Sequence, residues 1–124
     1  MSTKDIHKVM VVDDHPVVRH GLVQLIQQQP NLTVCAETGQ VCEAMKLIPE
    51  TNPDVIMLDI SLGDCNGVSV IKDVRARFGD IPILVLSMHD ETLYAERVLR
   101  VGGNGYIMKE EAATDVISAI NRVL

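Results

Sequence analysis

The sequence has no tryptophan, and its aromatic residues are one phenylalanine and two tyrosines, Phe78, Tyr94 and Tyr106. An apolar interior must therefore be built from Val, Ile, Leu, Met and Ala. A tyrosine left at the surface becomes a candidate for function. Cysteine is scarce: Cys35, Cys42 and Cys65 are odd in number and have no CxxC spacing. That pattern excludes a disulfide framework and a structural zinc site, and reads as reduced packing residues in a cytosolic protein. Positive charge is also short, with 11 Lys and Arg against 17 Asp and Glu and a formal net charge of −6. Nucleic acid and anionic membranes need a basic footprint that this balance does not supply, so basic or metal partners fit better. No apolar run approaches the roughly 20 residues of a membrane span. The opening MSTKDIHK lacks the apolar stretch of a secretory signal, so export is not expected and a cytoplasmic location is. There is no internal repeat, linker or low-complexity tract.

What is present suits one domain, 124 residues at 47% hydrophobic, enough to bury a single core. Apolar, β-branched runs recur at Val9–Val12, Leu32–Ala36, Val55–Leu58, Ile83–Leu86 and Gly105–Met108. Their near-continuous hydrophobicity predicts strands covered on both faces, as in a parallel sheet. Between them, helical spacing links Val18, Leu22, Leu25 and Ile26, then Val41, Ala44, Met45 and Ile48. The same period recurs in Ile71, Val74 and Phe78, in Leu93, Ala95, Val98 and Leu99, and in Val116, Ile117, Ile120 and Leu124. Pro16 suits a first helical turn, Pro30, Pro49 and Pro53 are expected to close segments, and Gly102-Gly103 to end the fourth helix. Right-handed βα crossovers then give an α/β fold, a doubly wound five-stranded parallel sheet. The spacing does not dictate strand order; the flavodoxin-like order 2-1-3-4-5 is the common solution.

The polar residues most at odds with their surroundings are Asp13-Asp14 after VMVV, Asp59 after VIML, Ser87 after ILVL and Lys109 after GYIM. All lie at carboxyl ends of predicted strands, which share one edge of an open parallel sheet, where ligands bind. Singly, the acids could cap helices, Ser87 could sit in a turn and Lys109 in solvent. Jointly, they have a chemistry. Three carboxylates brought together repel and need a cation. Oxygen ligands that leave room for water suit Mg²⁺ better than zinc. A lysine and a hydroxyl then remain for an anion with equatorial oxygens, an arrangement for phosphoryl transfer to a carboxylate. Asp59, alone on the central strand, is the better nucleophile, and the adjacent Asp13 and Asp14 are more naturally a metal-holding pair.

The segments VMVVDDHPVVRHGL, PDVIMLDISL, ILVLSMHD and GGNGYIMK resemble, over essentially the whole chain, the receiver domains of two-component response regulators. The resemblance implies a phosphorylation-activated switch that takes its phosphoryl group from a sensor histidine kinase onto Asp59. Asp14 and Asp59 would bind Mg²⁺ directly, Asp13 through water, and the backbone carbonyl of Ser61 would complete the set. Ser87 would hydrogen-bond the phosphoryl group, Lys109 would pair with it, and Tyr106 would rotate inward as Ser87 moves. Such a chain catalyses only its own phosphorylation and autodephosphorylation, and homodimerises on activation, the first and fifth helices being a surface used for pairing. DDHP, LSMHD and GGNGYIMK most resemble the subfamily with a C-terminal helix-turn-helix output domain. Residues 1–124 would then be the receiver of a longer transcription regulator whose DNA-binding domain has been removed or is absent, since the chain stops inside the fifth helix. Two departures stand out: Gly63 replaces a frequent proline beyond Asp59, and Glu110 follows the lysine where many receivers have proline.

His15 and His89 flank the site, where a metal ligand or proton shuttle is one reading, but each is read first as a surface residue with one hydrogen bond; His89, at the rim, is also a candidate for controlling water access to the phosphoryl group. Tyr94 reads as a plain exposed aromatic. Two alternatives stay open: a stand-alone receiver acting by docking, and a phosphatase resembling the haloacid-dehalogenase class that forms an aspartyl phosphate only as an intermediate.

Overall fold

The computed structural model describes residues 6–59, 67–87 and 92–124. The elements are β1 (His7–Val12), α1 (Pro16–Gln27), β2 (Leu32–Thr38), α2 (Val41–Thr51), β3 (Val55–Asp59), α3 (Gly67–Phe78), β4 (Ile83–Ser87), α4 (Thr92–Arg100), β5 (Gly105–Met108) and α5 (Ala112–Val123). Every strand pairing is parallel, and the order is β2-β1-β3-β4-β5. Each predicted strand is present, and the common order is the one adopted.

Strand side chains alternate between two apolar layers. Val9, Val11, Val55, Met57, Leu84 and Leu86 pack with Leu22 and Ile26 of α1 and Val116 and Ile120 of α5. Met10, Val12, Ile56, Leu58 and Val85 pack with Ala44 and Ile48 of α2, Ile71 and Val74 of α3 and Val98 of α4. Burying a side chain of this size stabilises by about 1.5–3 kcal/mol relative to exposure, which is why both faces of the strands are apolar. Among the described residues, no helix is long and apolar enough to cross a membrane.

Three details differ from the sequence reading. Pro49 does not close α2 but lies inside it. A proline near the end of a helix removes one backbone bond where few remain to be made. The last turn is held instead by the Thr51 hydroxyl, which donates to the Leu47 carbonyl at 2.8 Å, and by Asn52, left-handed at φ 50°, whose N–H reaches the Ile48 carbonyl at 2.9 Å. Leu99 and Leu124, assigned to apolar faces, are 51% and 40% exposed. Of the cysteines, Cys35 packs against the core but Cys42 is exposed, and Cys65 lies outside the described residues.

A polar clamp joins α3 to the turn between α4 and β5. Arg75 donates to the carbonyls of Gly79 (3.0 Å), Ile81 (2.7 Å) and Gly102, and to Asn104 Oδ1 (2.8 Å), which also accepts from the Ile83 N–H at 2.9 Å. Burial lowers the Arg75 pKa, against the opposing pull of Asp80. Gly102 has φ 114°, and a Cβ there would lie 2.7 Å from Arg75 Nε, so the turn after α4 needs glycine for both reasons.

Register brings the polar residues to one edge. Val12 pairs with Leu58, so Asp13 and Asp59 are the next residues of neighbouring strands. Asp59 pairs with Leu86 and Ser87 with Met108, so Ser87 and Lys109 each lie one step further along.

Candidate functional site

Asp13 leaves β1 fully buried, its N–H bonded to the Thr38 carbonyl at 2.9 Å and its carbonyl held by Arg19 Nη1 at 2.8 Å. Arg19 also reaches Glu37 Oε1 at 3.2 Å, so it ties α1 to the end of β2 just behind the acid pair. Nothing in the sequence singled it out, because its contacts are to a backbone oxygen and to a distant strand. Gly39 leaves the space this packing needs: a Cβ there would sit 3.0 Å from Arg19 Nη1 and 3.3 Å from the Asp14 Cα.

Lys109 opens the short 3₁₀ turn Lys109–Glu111 between β5 and α5, and its ammonium is driven into the sheet edge. Nζ lies 2.8 Å from Asp59 Oδ2 and 3.1 Å from Asp13 Oδ1, with both carboxylates 0% and the lysine side chain 3% exposed. Buried charges persist only when paired and hydrogen-bonded. The lysine is therefore a resident cation of the acid cluster, a contact beyond the phosphoryl role that the resemblance implies. Its stem lines a cleft of about 280 Å³ between α1 and α5, with Val17, Val18, Leu22, Leu25 and Ala113.

His15 is exposed, as its reading as a surface residue expects, but its ring makes more than one close contact. Its side chain is 46% exposed, yet Nδ1 stands 3.1 Å from Asp13 Oδ1, 3.1 Å from Asp14 Oδ1 and 3.5 Å from Asp59 Oδ2. It is also 2.7 Å from Lys109 Nζ. The following Pro16 explains the placement, since a residue before proline is pushed to extended backbone, here φ −93° and ψ 103°. The ring makes no capping bond to α1. The Asp13 carboxylate meets the His15 N–H instead, at 2.9 Å, so capping explains only part of what that acid does.

Asp13, Asp14, His15 and Asp59 each offer one donor atom, all within 4.8 Å of one another. Asp13 Oδ2 is buried with no hydrogen-bond partner among the described residues. An orphaned carboxylate oxygen beside two further carboxylates fits a divalent cation of the oxygen-preferring kind. Ser87 ends β4 almost fully buried, and Tyr106 on β5 is half-buried against the α2, α3 and α4 layer. Thus the structure brings together Asp13, Asp14, Asp59 and Lys109, and sets Ser87 on the same edge. Ser61, Gly63 and His89 lie outside the described residues, as does the side chain of Tyr94. No peptide bond among the described residues is cis.

Residues 9–121 match the family model described as the response regulator receiver domain. The chain is 35% identical over 116 residues to the transcriptional regulatory protein DegU of Brevibacillus brevis, covering 94% of this chain and 49% of that protein. It is 37% identical over 116 residues to the DNA-binding transcriptional activator DevR/DosR of Mycobacterium tuberculosis, covering 94% and 54%. It therefore spans about half the length of these regulators. The solved signal receiver domain of the response regulator NarL from Mycobacterium tuberculosis superposes with a TM-score of 0.87 at 29% identity, each chain covered to 95%. With the parallel order, the acid cluster at its carboxyl edge and a family match over nearly the whole chain, this protein belongs to the response-regulator receiver domains.

Proposed function

We propose that this domain is the phosphorylation-activated switch of a two-component system, accepting a phosphoryl group on Asp59 from a sensor histidine kinase. The observation that carries the reading is the Asp59 carboxylate, buried at the end of the central strand and 2.8 Å from the Lys109 ammonium. In the transfer, an Asp59 oxygen attacks phosphorus while the bond from phosphorus to the donor nitrogen breaks, and the imidazole leaves with a proton. Lys109 offsets charge on the equatorial oxygens, and Ser87 donates a hydrogen bond to one of them. Mg²⁺ held by Asp13, Asp14 and Asp59, with the Ser61 carbonyl, would supply further charge neutralisation at the same oxygens. Movement of Ser87 toward the phosphoryl group gives Tyr106 room to rotate inward.

The domain in this reading catalyses only its own phosphorylation and dephosphorylation, works in the cytoplasm, and pairs with a second copy when activated. Residues 1–124 are the receiver, and the output is transcriptional, through a C-terminal DNA-binding domain; what supports this is the naming of relatives such as DevR/DosR as DNA-binding activators. The test is intact mass after incubation with acetyl phosphate and Mg²⁺. One phosphoryl group should be added to the native chain and none to Asp59→Asn. Modification that persists in the variant, mapped to another residue, overturns the assignment.

A further inference from the structure

We propose that His15 supplies a nitrogen ligand to the cation site, so that this domain prefers a first-row transition ion, Mn²⁺ through Ni²⁺, over Mg²⁺. The inference rests on the reading of the acid cluster as a divalent-cation site. In octahedral coordination with bonds of about 2.1 Å, neighbouring donors stand about 3.0 Å apart. His15 Nδ1 is 3.1 Å from both Asp13 Oδ1 and Asp14 Oδ1, which is that separation. The donor atoms of Asp13, Asp14, His15 and Asp59 all lie within 4.8 Å of one another, so one ion can reach the nitrogen and the oxygens together.

Lys109 Nζ lies 2.7 Å from His15 Nδ1 and within 3.1 Å of Asp13 and Asp59, so the imidazole already stands beside a cation that the carboxylates hold. The buried, unpartnered Asp13 Oδ2 is an independent sign that the cluster is short of a cation. Carboxylate and water ligands suit Mg²⁺, whereas one imidazole among them shifts preference toward the ions later in the first row. Mg²⁺ still binds through the carboxylates, but without gain from the ring.

Calorimetric titration with Mg²⁺ and with Ni²⁺ tests this on the native chain, His15→Ala, His15→Gln and Asp14→Ala, with electron–nuclear coupling spectra of the Mn²⁺-loaded forms. Both His15 variants should lose Ni²⁺ affinity by about tenfold, or 1.4 kcal/mol, while keeping that for Mg²⁺. The Mn²⁺ spectrum of the native chain should show coupling to a directly bound nitrogen that both variants lack. An unchanged ratio of Ni²⁺ to Mg²⁺ affinity, or no nitrogen coupling, with binding still dependent on Asp14, overturns the role of His15 alone. Binding that is absent, or indifferent to Asp14→Ala, overturns both this proposal and the reading of the cluster beneath it.

Discussion

Lys109→Met exchanges the resident cation for an apolar side chain of similar length, so the packing loss is small and the electrostatic loss dominates. In the native chain Nζ sits 2.8 Å from Asp59 and 3.1 Å from Asp13, and neither carboxylate is exposed. Removing one partner of a buried pair costs about 3–5 kcal/mol, because the other is left charged and uncompensated. Against a total stability of about 5–15 kcal/mol for an ordinary domain, that is a large share. Urea unfolding in a chelator should therefore show a strongly lowered midpoint. Adding Mg²⁺ should then help the variant more than the native chain, since the ion enters a cluster in which no ammonium competes for the same oxygens. At a concentration a hundred times its Kd, a ligand adds about 2.7 kcal/mol, comparable to the loss. Two results would refute the reasoning: a variant within about 0.5 kcal/mol of native in chelator, the range of surface substitutions, or equal stabilisation of both proteins by Mg²⁺.

Gly102→Ala forces a side chain into φ 114° and within 2.7 Å of Arg75 Nε; it should lower stability in urea unfolding by about 1–3 kcal/mol, and a midpoint equal to native would show that the clamp yields freely. Thr38→Val removes a hydroxyl that donates to Glu43 and accepts from the Gln40 N–H at 3.1 Å. Loss of about 1–3 kcal/mol is expected, with faster hydrogen exchange at the Gln40 amide, and unchanged exchange there would exclude the bond to Thr38.

Strands were legible because both faces of this sheet are covered, which leaves runs such as Val55–Leu58 without polar interruption. Their ends were less so: β1 begins at His7 and Lys8, and β3 and β4 finish on Asp59 and Ser87, polar residues that hydrophobicity alone excludes. Those same interruptions revealed the site, since a buried Asp or Lys at a strand end has to be held by something. The contacts of the exposed His15 were not legible, because Pro16 holds its backbone extended while its partner Lys109 is 94 positions away. The Arg75 clamp was invisible for a similar reason: a guanidinium bonded to backbone carbonyls, one of them 27 positions distant, leaves no pattern of residue types. Pro49 shows the opposite error, a strong local signal that two nearby bonds, from Thr51 and Asn52, were enough to override.

Lys109 has the acid cluster at its tip, the α1–α5 cleft along its stem and, at its backbone, a three-residue turn that leads into α5. In the switch proposed above the tip turns from these carboxylates to the phosphoryl group, while β5 stays paired with β4. The side chain that meets that exchange at the sheet edge also lines the apolar cleft with Val17, Leu22 and Ala113, so the cleft is where α1 and α5 border the switch.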